Sequence, residues 1–469
     1  MPEPAPVPSR LTAEQRLLAI GLILGVTLVA FEVTSVATAL PTISADLHGD
    51  GWYGLALSTY TLANMLGLVV AGEASDRHGP AVPFMVGTAV FIGGLVVSAV
   101  APTMGVMVLG RTLQGLGNGG YSPIAYVLVR RAFPTGRQPL ILAFLSAGWV
   151  LPSLLAPFVA GLVTQHLGWR WVFWLIVPAG VLVGVLNVGP MRRFPAVAGG
   201  TRPPSQFVHA GAAALGVGAL VGGLQIPSLP AALLVSLLGL VVAVPALGRL
   251  LPRGMVGGAR RRTEGELAGL AAVLRCRILA TAAFVAVDGL LPLAAARVHG
   301  SSPTMQGALI IGAALTWTLS QWWSARRPVA TSFGRVPLGF ALLAAGTLGC
   351  VPVVWVGWPL AAVFASWSVA GIGMGLLFNP TSVAAISYTS PGTEGRVSGQ
   401  LGLSDSLGFS VLGGISGGLV AIADHTRFRL EGAVVVSFAI AVALAAAGTR
   451  AGRSVRPSPT ATPTVRVTT

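Results

Sequence analysis

The sequence has few charged residues for its length. Only 9% of its 469 residues are Asp, Glu, Lys or Arg, whereas a soluble domain carries about 25%. Hydrophobic residues make up 54% of the chain, and the mean hydropathy is +0.80. So little charge excludes a soluble enzyme of this size, and the high hydrophobicity excludes a disordered chain. The composition predicts a polytopic membrane protein.

Lysine is absent, so all 29 basic residues are arginine. A Walker A phosphate-binding loop needs a lysine, and an ATP-driven pump within this chain is therefore excluded. No nucleophile–base set is visible, and we expect neither enzyme activity nor a cofactor. The two cysteines, Cys276 and Cys350, lack metal-ligand spacing and are interpreted as structural. No metal site is expected.

Long apolar runs predict the membrane topology. Continuous runs of about 20 residues favour membrane-spanning helices, whereas alternation would favour a barrel. About fourteen spans are predicted, at residues 17–40, 53–72, 82–101, 104–129, 138–163, 171–189, 208–225, 231–250, 271–295, 306–324, 337–356, 359–388, 397–423 and 431–449.

The spans divide into six, two and six, which predicts four regions. They are an N-terminal six-helix bundle (1–190), a linker with an inserted transmembrane hairpin (191–255), a C-terminal six-helix bundle (256–450) and a disordered cytoplasmic tail (451–469).

The arginines predict the orientation. With the N-terminus inside, 24 of the 29 arginines fall in cytoplasmic segments, and this count includes Arg275 and Arg277. Cytoplasmic loops are enriched in basic residues, so we expect both termini to be cytoplasmic and the chain to lie in the cytoplasmic (inner) membrane. The net charge of +15 then reflects sidedness and requires no nucleic-acid partner. A chain with twelve spans would also have both termini on the same side, so the arginine distribution does not distinguish twelve spans from fourteen.

The loop after the second span, residues 72–79 (GEASDRHG), resembles the major facilitator superfamily signature glycine-x-x-x-aspartate-arginine-x-glycine. Glycines allow a tight turn, and an aspartate there can meet helix N-termini and arginines as a breakable latch. We assign Gly72, Asp76, Arg77 and Gly79 to this latch. An ordinary polar loop is the alternative.

The fourth span contains residues 111–120 (RTLQGLGNGG), similar to the family's arginine-x-x-glutamine-glycine motif. A charge within a span is costly, so Arg111 should face a cavity or a partner. The glycines should permit close helix contact. The resemblance links Arg111 to proton transfer, and purely structural pairing is the alternative.

The fifth span reads GWVLPSLLAPFVAG at residues 148–161 and looks like the family's antiporter motif, carried here by Gly148, Pro152, Pro157 and Gly161. Alanines replace two of the usual glycines. Small residues and two prolines predict a bent, closely packed helix.

In order and spacing, these motifs resemble those of the fourteen-span drug:proton antiporters of the major facilitator superfamily. The resemblance implies the major facilitator fold, which is all-α, with two six-helix bundles and an inserted hairpin. It also implies a small-molecule substrate and protons as transported partners, a lipid bilayer around the chain, and a functional monomer.

Three acids remain within predicted spans: Glu32, Asp288 and Asp405. An ionised carboxylate there costs several kcal/mol unless it is paired or hydrated. Reversible protonation at such a site is the chemistry that proton coupling needs, so these acids and Arg111 are the predicted coupling residues. Glu32 is expected to pair with Arg111. A structural hydrogen bond or ion pair is the alternative for each acid.

Further polar and aromatic residues within the spans are candidates for a substrate cavity. They are Tyr60, Asn64, Gln114, Asn118, Trp149, Trp317, Gln321 and Asn379.

The sequence therefore predicts proton-coupled efflux of lipophilic drugs or related small molecules by alternating access. The alternatives are a dedicated exporter of a natural product, lipid or siderophore precursor, a sugar-type importer, and a non-transporting membrane sensor.

Overall fold

The computed structural model describes residues 11–49, 52–196, 206–226, 228–252, 255, 266–327, 333–425 and 430–457, and every regular element within them is helical. A helix satisfies all its backbone hydrogen bonds within one segment, which apolar surroundings require.

The helices of the first half are α1 (Ala13–Asp46), α2 (Tyr53–His78), α3 (Ala81–Ala99), α4 (Met104–Asn118), α5 (Tyr121–Ala132), α6 (Gln138–Ala147), α7 (Val150–His166) and α8 (Arg170–Met191). The helices of the second half are α9 (Phe207–Gly223), α10 (Leu229–Leu250), α11 (Glu266–His299), α12 (Pro303–Ala325), α13 (Val336–Cys350), α14 (Leu360–Ser387), α15 (Glu394–His425) and α16 (Leu430–Gly452), with 3₁₀ segments at Phe333–Arg335 and Val351–Val354.

Each predicted span overlaps one helix or two consecutive helices, but some boundaries differ. Helix α1 starts earlier than predicted because Thr12 and Gln15 form a capping box, and it continues through Pro41. The predicted span 104–129 is divided at Gly119–Gly120, and the predicted span 138–163 is divided at Gly148–Trp149. Glycines are common where a helix breaks or bends.

Among the described residues, eleven helices are long and apolar enough to cross a membrane. The chain is thus a multi-pass membrane protein. The predicted span 104–129 is not among the eleven, nor are α9, with 17 residues, and α12. The count of fourteen spans stays a prediction.

The chain forms two compact units. Unit 1 comprises Met1–Tyr60, Ala71–Arg202 and Pro391–Ser398, and unit 2 comprises Thr61–Val70, Pro203–Ser390 and Gly399–Thr469. Helices α2 and α15 each contribute segments to both units.

Glycines set the helix spacing in unit 1. Helix α1 packs against α7 and α8, and α3 packs against α4 and α8. A Cβ atom added at Gly115 would lie 2.1 Å from the Tyr60 carbonyl oxygen on α2, and one at Gly117 would lie 2.4 Å from the Gly87 carbonyl oxygen on α3. The predicted close packing of this motif is confirmed.

In unit 2, α9 packs against α10, α14 packs against α12 and α13, and α16 packs against α11 and α13. A Cβ atom at Gly371 would lie 2.3 Å from the Ala313 carbonyl oxygen of α12. One at Gly414 of α15 would lie 2.6 Å from the Val221 side chain of α9. The α9–α10 hairpin therefore packs on α15 within this unit.

The tail predicted to be disordered from residue 451 starts with ordered residues. Helix α16 reaches Gly452, and Val455 is buried. Residues 458–469 lie outside the described residues.

The hairpin offers a test of glycine-mediated packing. In G239A, the new methyl group would lie 2.4 Å from the backbone nitrogen of Leu220 on α9. Overpacking of this kind costs about 1–3 kcal/mol, so we expect a lower melting temperature in detergent. In the matched control G211A on α9, the methyl group meets nothing within 4 Å. Equal effects of the two substitutions would contradict the packing account.

Candidate functional site

The predicted pair of Glu32 and Arg111 is present in unit 1. Nη1 of Arg111 donates to Oε1 of Glu32 and to Oε1 of Gln114. Glu32 is fully buried and Arg111 is 2% exposed. The pairing is confirmed, and it places two opposite charges in direct contact where each alone would be costly.

Gln114 anchors this pair to α3. Its Nε2 atom donates to the Gly94 carbonyl oxygen at 3.1 Å and to Oγ of Ser98 at 2.8 Å. The glutamine of the motif therefore holds Arg111 through its oxygen while its amide nitrogen fixes the rotamer.

Tyr60 and Asn118 complete the cluster. The Arg111 guanidinium lies 4.2 Å from the centroid of the Tyr60 ring, and Nδ2 of Asn118 donates to the Tyr60 hydroxyl at 2.9 Å. Some residues of this cluster were predicted to couple protons and others to line a substrate cavity. The structure brings both groups together in one polar cluster on α1, α2 and α4.

A second ion pair lies in unit 2. Nε of Arg277 on α11 donates to Oδ1 of Asp405 on α15 at 2.7 Å, and Nη2 donates to Oδ2. Nη1 donates to the Phe378 carbonyl oxygen at 3.2 Å and to Oγ of Ser382 at 2.9 Å. The guanidinium also lies 3.2 Å from the Phe378 ring centroid. Arg277 is fully buried.

The assignment of Arg277 to a cytoplasmic segment was wrong. It lies within α11, and its partner comes from a helix more than 120 residues further along the chain. The sequence did indicate that Arg277 needs a partner. It falls inside the predicted span 271–295, and a charge within an apolar span is costly unless it is paired.

Asp288 differs from the other two membrane acids. Among the described residues it makes no ion pair, and its Oδ1 atom is buried without a hydrogen-bond partner. Trp367 of α14 lies beside its carboxyl group. Asp288 is the membrane acid whose charge no arginine neutralises in the described structure.

A row of aromatic rings links Asp288 to the Arg277–Asp405 pair. Trp367 stacks on Phe284 at 4.7 Å between centroids. Phe284 meets Trp317 edge-on at 5.2 Å, and Trp317 meets Phe378 at 5.1 Å. Phe378 in turn contacts Arg277. The row joins α11, α12 and α14 within unit 2.

The other predicted cavity residues differ in how deeply they are buried. Gln321 lies four residues after Trp317 on α12, Asn379 follows Phe378 on α14, and both are buried. Asn64 is half-buried in the segment of α2 that belongs to unit 2. Trp149 is 48% exposed at the junction of α6 and α7.

The loop motif meets a helix N-terminus, as predicted. The carboxylate of Asp76 accepts hydrogen bonds from the backbone N–H groups of Gly395 at 2.7 Å and Arg396 at 2.8 Å, in the first turn of α15. A Cβ atom at Gly395 would lie 2.0 Å from the Gly72 carbonyl oxygen. Unpaired N–H groups and the helix dipole both favour an anion there. Opening of this contact as a latch stays a prediction.

An ion pair between Arg131 and Glu394, neither of which stands out in the sequence, supports this contact. Arg131 of α5 binds Glu394 at 3.0 and 3.4 Å and also donates to the Pro195 carbonyl oxygen. The adjacent turn at Gly79 has φ +80°, a conformation that glycine adopts readily. Arg77 lies 3.8 Å from Glu73.

The fifth-span motif is only partly close-packed. Gly148 marks the break between α6 and α7, Pro152 is buried, and Pro157 lies inside α7. A Cβ atom at Gly161 would meet nothing within 4 Å, so the prediction of close packing is wrong at this residue.

Comparison with known proteins agrees with this architecture. The sequence model of the Major Facilitator Superfamily matches residues 22–412. The chain belongs to this superfamily.

Two curated relatives are named for multidrug resistance or multidrug efflux. Multidrug resistance protein 3 of Bacillus subtilis is 32% identical over 170 residues, which is 36% of this chain and 33% of that protein. The chain thus aligns with about a third of that relative's length. A probable multidrug-efflux transporter of Mycobacterium tuberculosis is 25% identical over 443 residues, covering 90% of this chain and 91% of the relative.

A solved structure shares the fold. The human organic anion transporter MFSD10 matches with a TM-score of 0.67 at 16% identity, covering 93% of this chain and 100% of that one.

The buried pair in unit 1 predicts non-additive stability effects. E32Q or R111Q leaves one buried charge without its partner, a loss of about 3–5 kcal/mol, whereas E32Q/R111Q should recover part of it. Thermal unfolding in detergent measures the three variants. The control E14Q breaks the exposed Glu14–Arg193 pair, which contributes at most about 1 kcal/mol. Additive effects of E32Q and R111Q would contradict the coupling.

The contact at the N-terminus of α15 is tested by D76A. The substitution removes the acceptor for two backbone N–H groups, so we expect faster hydrogen–deuterium exchange in the peptide containing Gly395 and Arg396. Each buried donor left unsatisfied costs about 1–3 kcal/mol. The control E73Q, one turn earlier on α2, should leave that peptide unchanged. Unchanged exchange in D76A would disprove the contact.

Proposed function

We propose that this superfamily member is a proton-coupled efflux transporter that exports lipophilic drugs or related small molecules by alternating access. The main support for the proposal is that the three membrane acids differ in their pairing with arginine. Glu32 and Asp405 are each paired with a buried arginine, whereas Asp288 has no ion pair among the described residues.

Asp288 is the proposed primary coupling site. Because no arginine in the described part of the chain pairs with it, the gain or loss of one proton would change the net charge of its surroundings, and with it the affinity for a bound substrate. In apolar surroundings this change is large, since electrostatic interactions there are weakly screened. Such a group can favour one conformation when protonated and another when ionised.

The paired acids have a second proposed role. Protonation of Glu32 or Asp405 would remove one partner of an ion pair and leave Arg111 or Arg277 to be satisfied elsewhere. Each pair joins different helices, α1 with α4 and α11 with α15. A change of protonation would therefore alter helix packing as well as charge.

The aromatic row supports a lipophilic substrate. Trp367, Phe284, Trp317 and Phe378 form contiguous ring contacts beside Asp288. Large flat rings bind apolar substrates without demanding one hydrogen-bond pattern. Gln321, four residues after Trp317 on α12, and Asn379, next to Phe378 on α14, are the proposed polar contacts.

In the proposed cycle, the cytoplasm-facing state binds substrate, and protons from outside then load the acids and favour return. The contact of Asp76 with α15 would open and close as the latch. The proposal includes fourteen spans, cytoplasmic termini, an inner-membrane location and a functional monomer. The name of the Mycobacterium tuberculosis relative, which aligns with 90% of the chain, supports drug export.

D288N tests the coupling. We expect substrate-driven proton flux in proteoliposomes to fall about tenfold or more, because the amide cannot exchange a proton at this position. D46N is the control, since Asp46 forms an exposed pair with Arg170 and should retain full flux.

The same vesicles distinguish the other functions. A compound panel measured with and without a pH gradient should show outward transport of several lipophilic compounds. Export of a single compound class would indicate a dedicated exporter, and inward transport would indicate an importer. Full proton flux in D288N, D405N and E32Q alike would end the acid-coupling proposal.

A further inference from the structure

A cluster of tryptophans and arginines lies where α12 ends and α13 begins, in unit 2. The Arg326 guanidinium lies 3.5 Å from the Trp322 ring centroid. Arg327 and Arg335 both lie against Trp323, at 4.8 and 5.0 Å. We call these five residues the Trp–Arg cluster. They gather three cations around two aromatic rings.

The rings of the cluster are open to the surroundings. Trp322 is 37% exposed and Trp323 is 47% exposed. Arg326 and Arg327 are exposed as well, and Arg335 is half-buried at the start of the candidate membrane span Phe333–Val354. The cluster therefore lies at the end of a membrane-spanning segment.

Acidic residues are missing from this part of the chain. The sequence has no Asp or Glu from residue 289 to residue 393. Within the described residues, no ion pair involves Arg326 or Arg327. Arg327 also lies close enough to Arg335 to repel it electrostatically. An external anion would relieve this repulsion.

We propose that the Trp–Arg cluster binds the phosphate headgroup of an anionic phospholipid. Guanidinium groups bind phosphate oxygens in a bidentate manner, and stacking on tryptophan orients them for it. Tryptophan side chains favour the membrane interface, where one part of the ring system is apolar and another is wet.

A phospholipid fits better than a soluble anion because the exposed rings supply apolar contact that inorganic phosphate would not use. Basic clusters beside membrane spans attract anionic lipids with about 1 kcal/mol per residue. The Arg326 and Arg327 pair alone should thus raise the affinity by roughly tenfold or more.

Native mass spectrometry of the full chain in detergent tests this site. Phosphatidylglycerol should give a saturable adduct that phosphatidylcholine does not give. R326Q/R327Q should weaken phosphatidylglycerol binding about tenfold. W322L/W323L keeps every charge and replaces only exposed rings, and it should also weaken phosphatidylglycerol binding. This variant tests the site if R326Q/R327Q does not fold.

The matched control is R450Q/R453Q. These exposed arginines lie at the end of α16. A Cβ atom added at Gly452, between them, would lie 3.1 Å from the side chain of Val336 at the start of α13. The control removes the same charge from the same end of the unit and should leave binding unchanged. Equal losses in both arginine variants, or equal binding of phosphatidylcholine, would overturn the proposal. Displacement of the lipid by millimolar inorganic phosphate would also overturn it, in favour of a soluble-anion site.

Discussion

The cost of a charge in apolar surroundings is the constraint on which this structure depends. Two buried arginines, Arg111 and Arg277, each contact a carboxylate from another helix. Arg111 also donates to the side-chain oxygen of Gln114, and Arg277 also donates to Oγ of Ser382. A partner that is missing would leave a buried charge, which is far more costly than the pair is favourable. Each pair therefore ties two helices together within its unit, α1 to α4 and α11 to α15.

Asp288 is informative because no ion pair involves it among the described residues. A carboxylate without a cation is tolerated in such surroundings only where something else neutralises it at some stage, and for a transporter a proton or a substrate can do so. The aromatic row beside it provides a weakly screened environment in which one proton has a large effect. Proton coupling is therefore proposed at Asp288, the membrane acid in unit 2 that forms no ion pair among the described residues.

Small residues have the complementary role. Gly115, Gly117 and Gly371 bring backbones close enough that a methyl group would collide with a carbonyl oxygen of the next helix. Apolar side chains cannot drive helix association within a bilayer, so close backbone contact and polar pairs replace that driving force. The same closeness at Gly72 and Gly395 lets Asp76 reach the N-terminus of α15.

The membrane class, the approximate position of each helical run, the family motifs and the pairing of Glu32 with Arg111 could all be predicted from the amino-acid sequence. Length, hydropathy and the rarity of charge are local properties, so they can be read without coordinates. The tertiary structure was needed to show that Arg277 pairs with Asp405, that no arginine among the described residues pairs with Asp288, and that a side chain at Gly161 would have open space. It also decided where α4 and α6 end. These features depend on which faces of distant helices meet. In a chain this apolar, nearly every helix face has the same composition. The spacing of hydrophobic residues therefore does not indicate which faces are in contact.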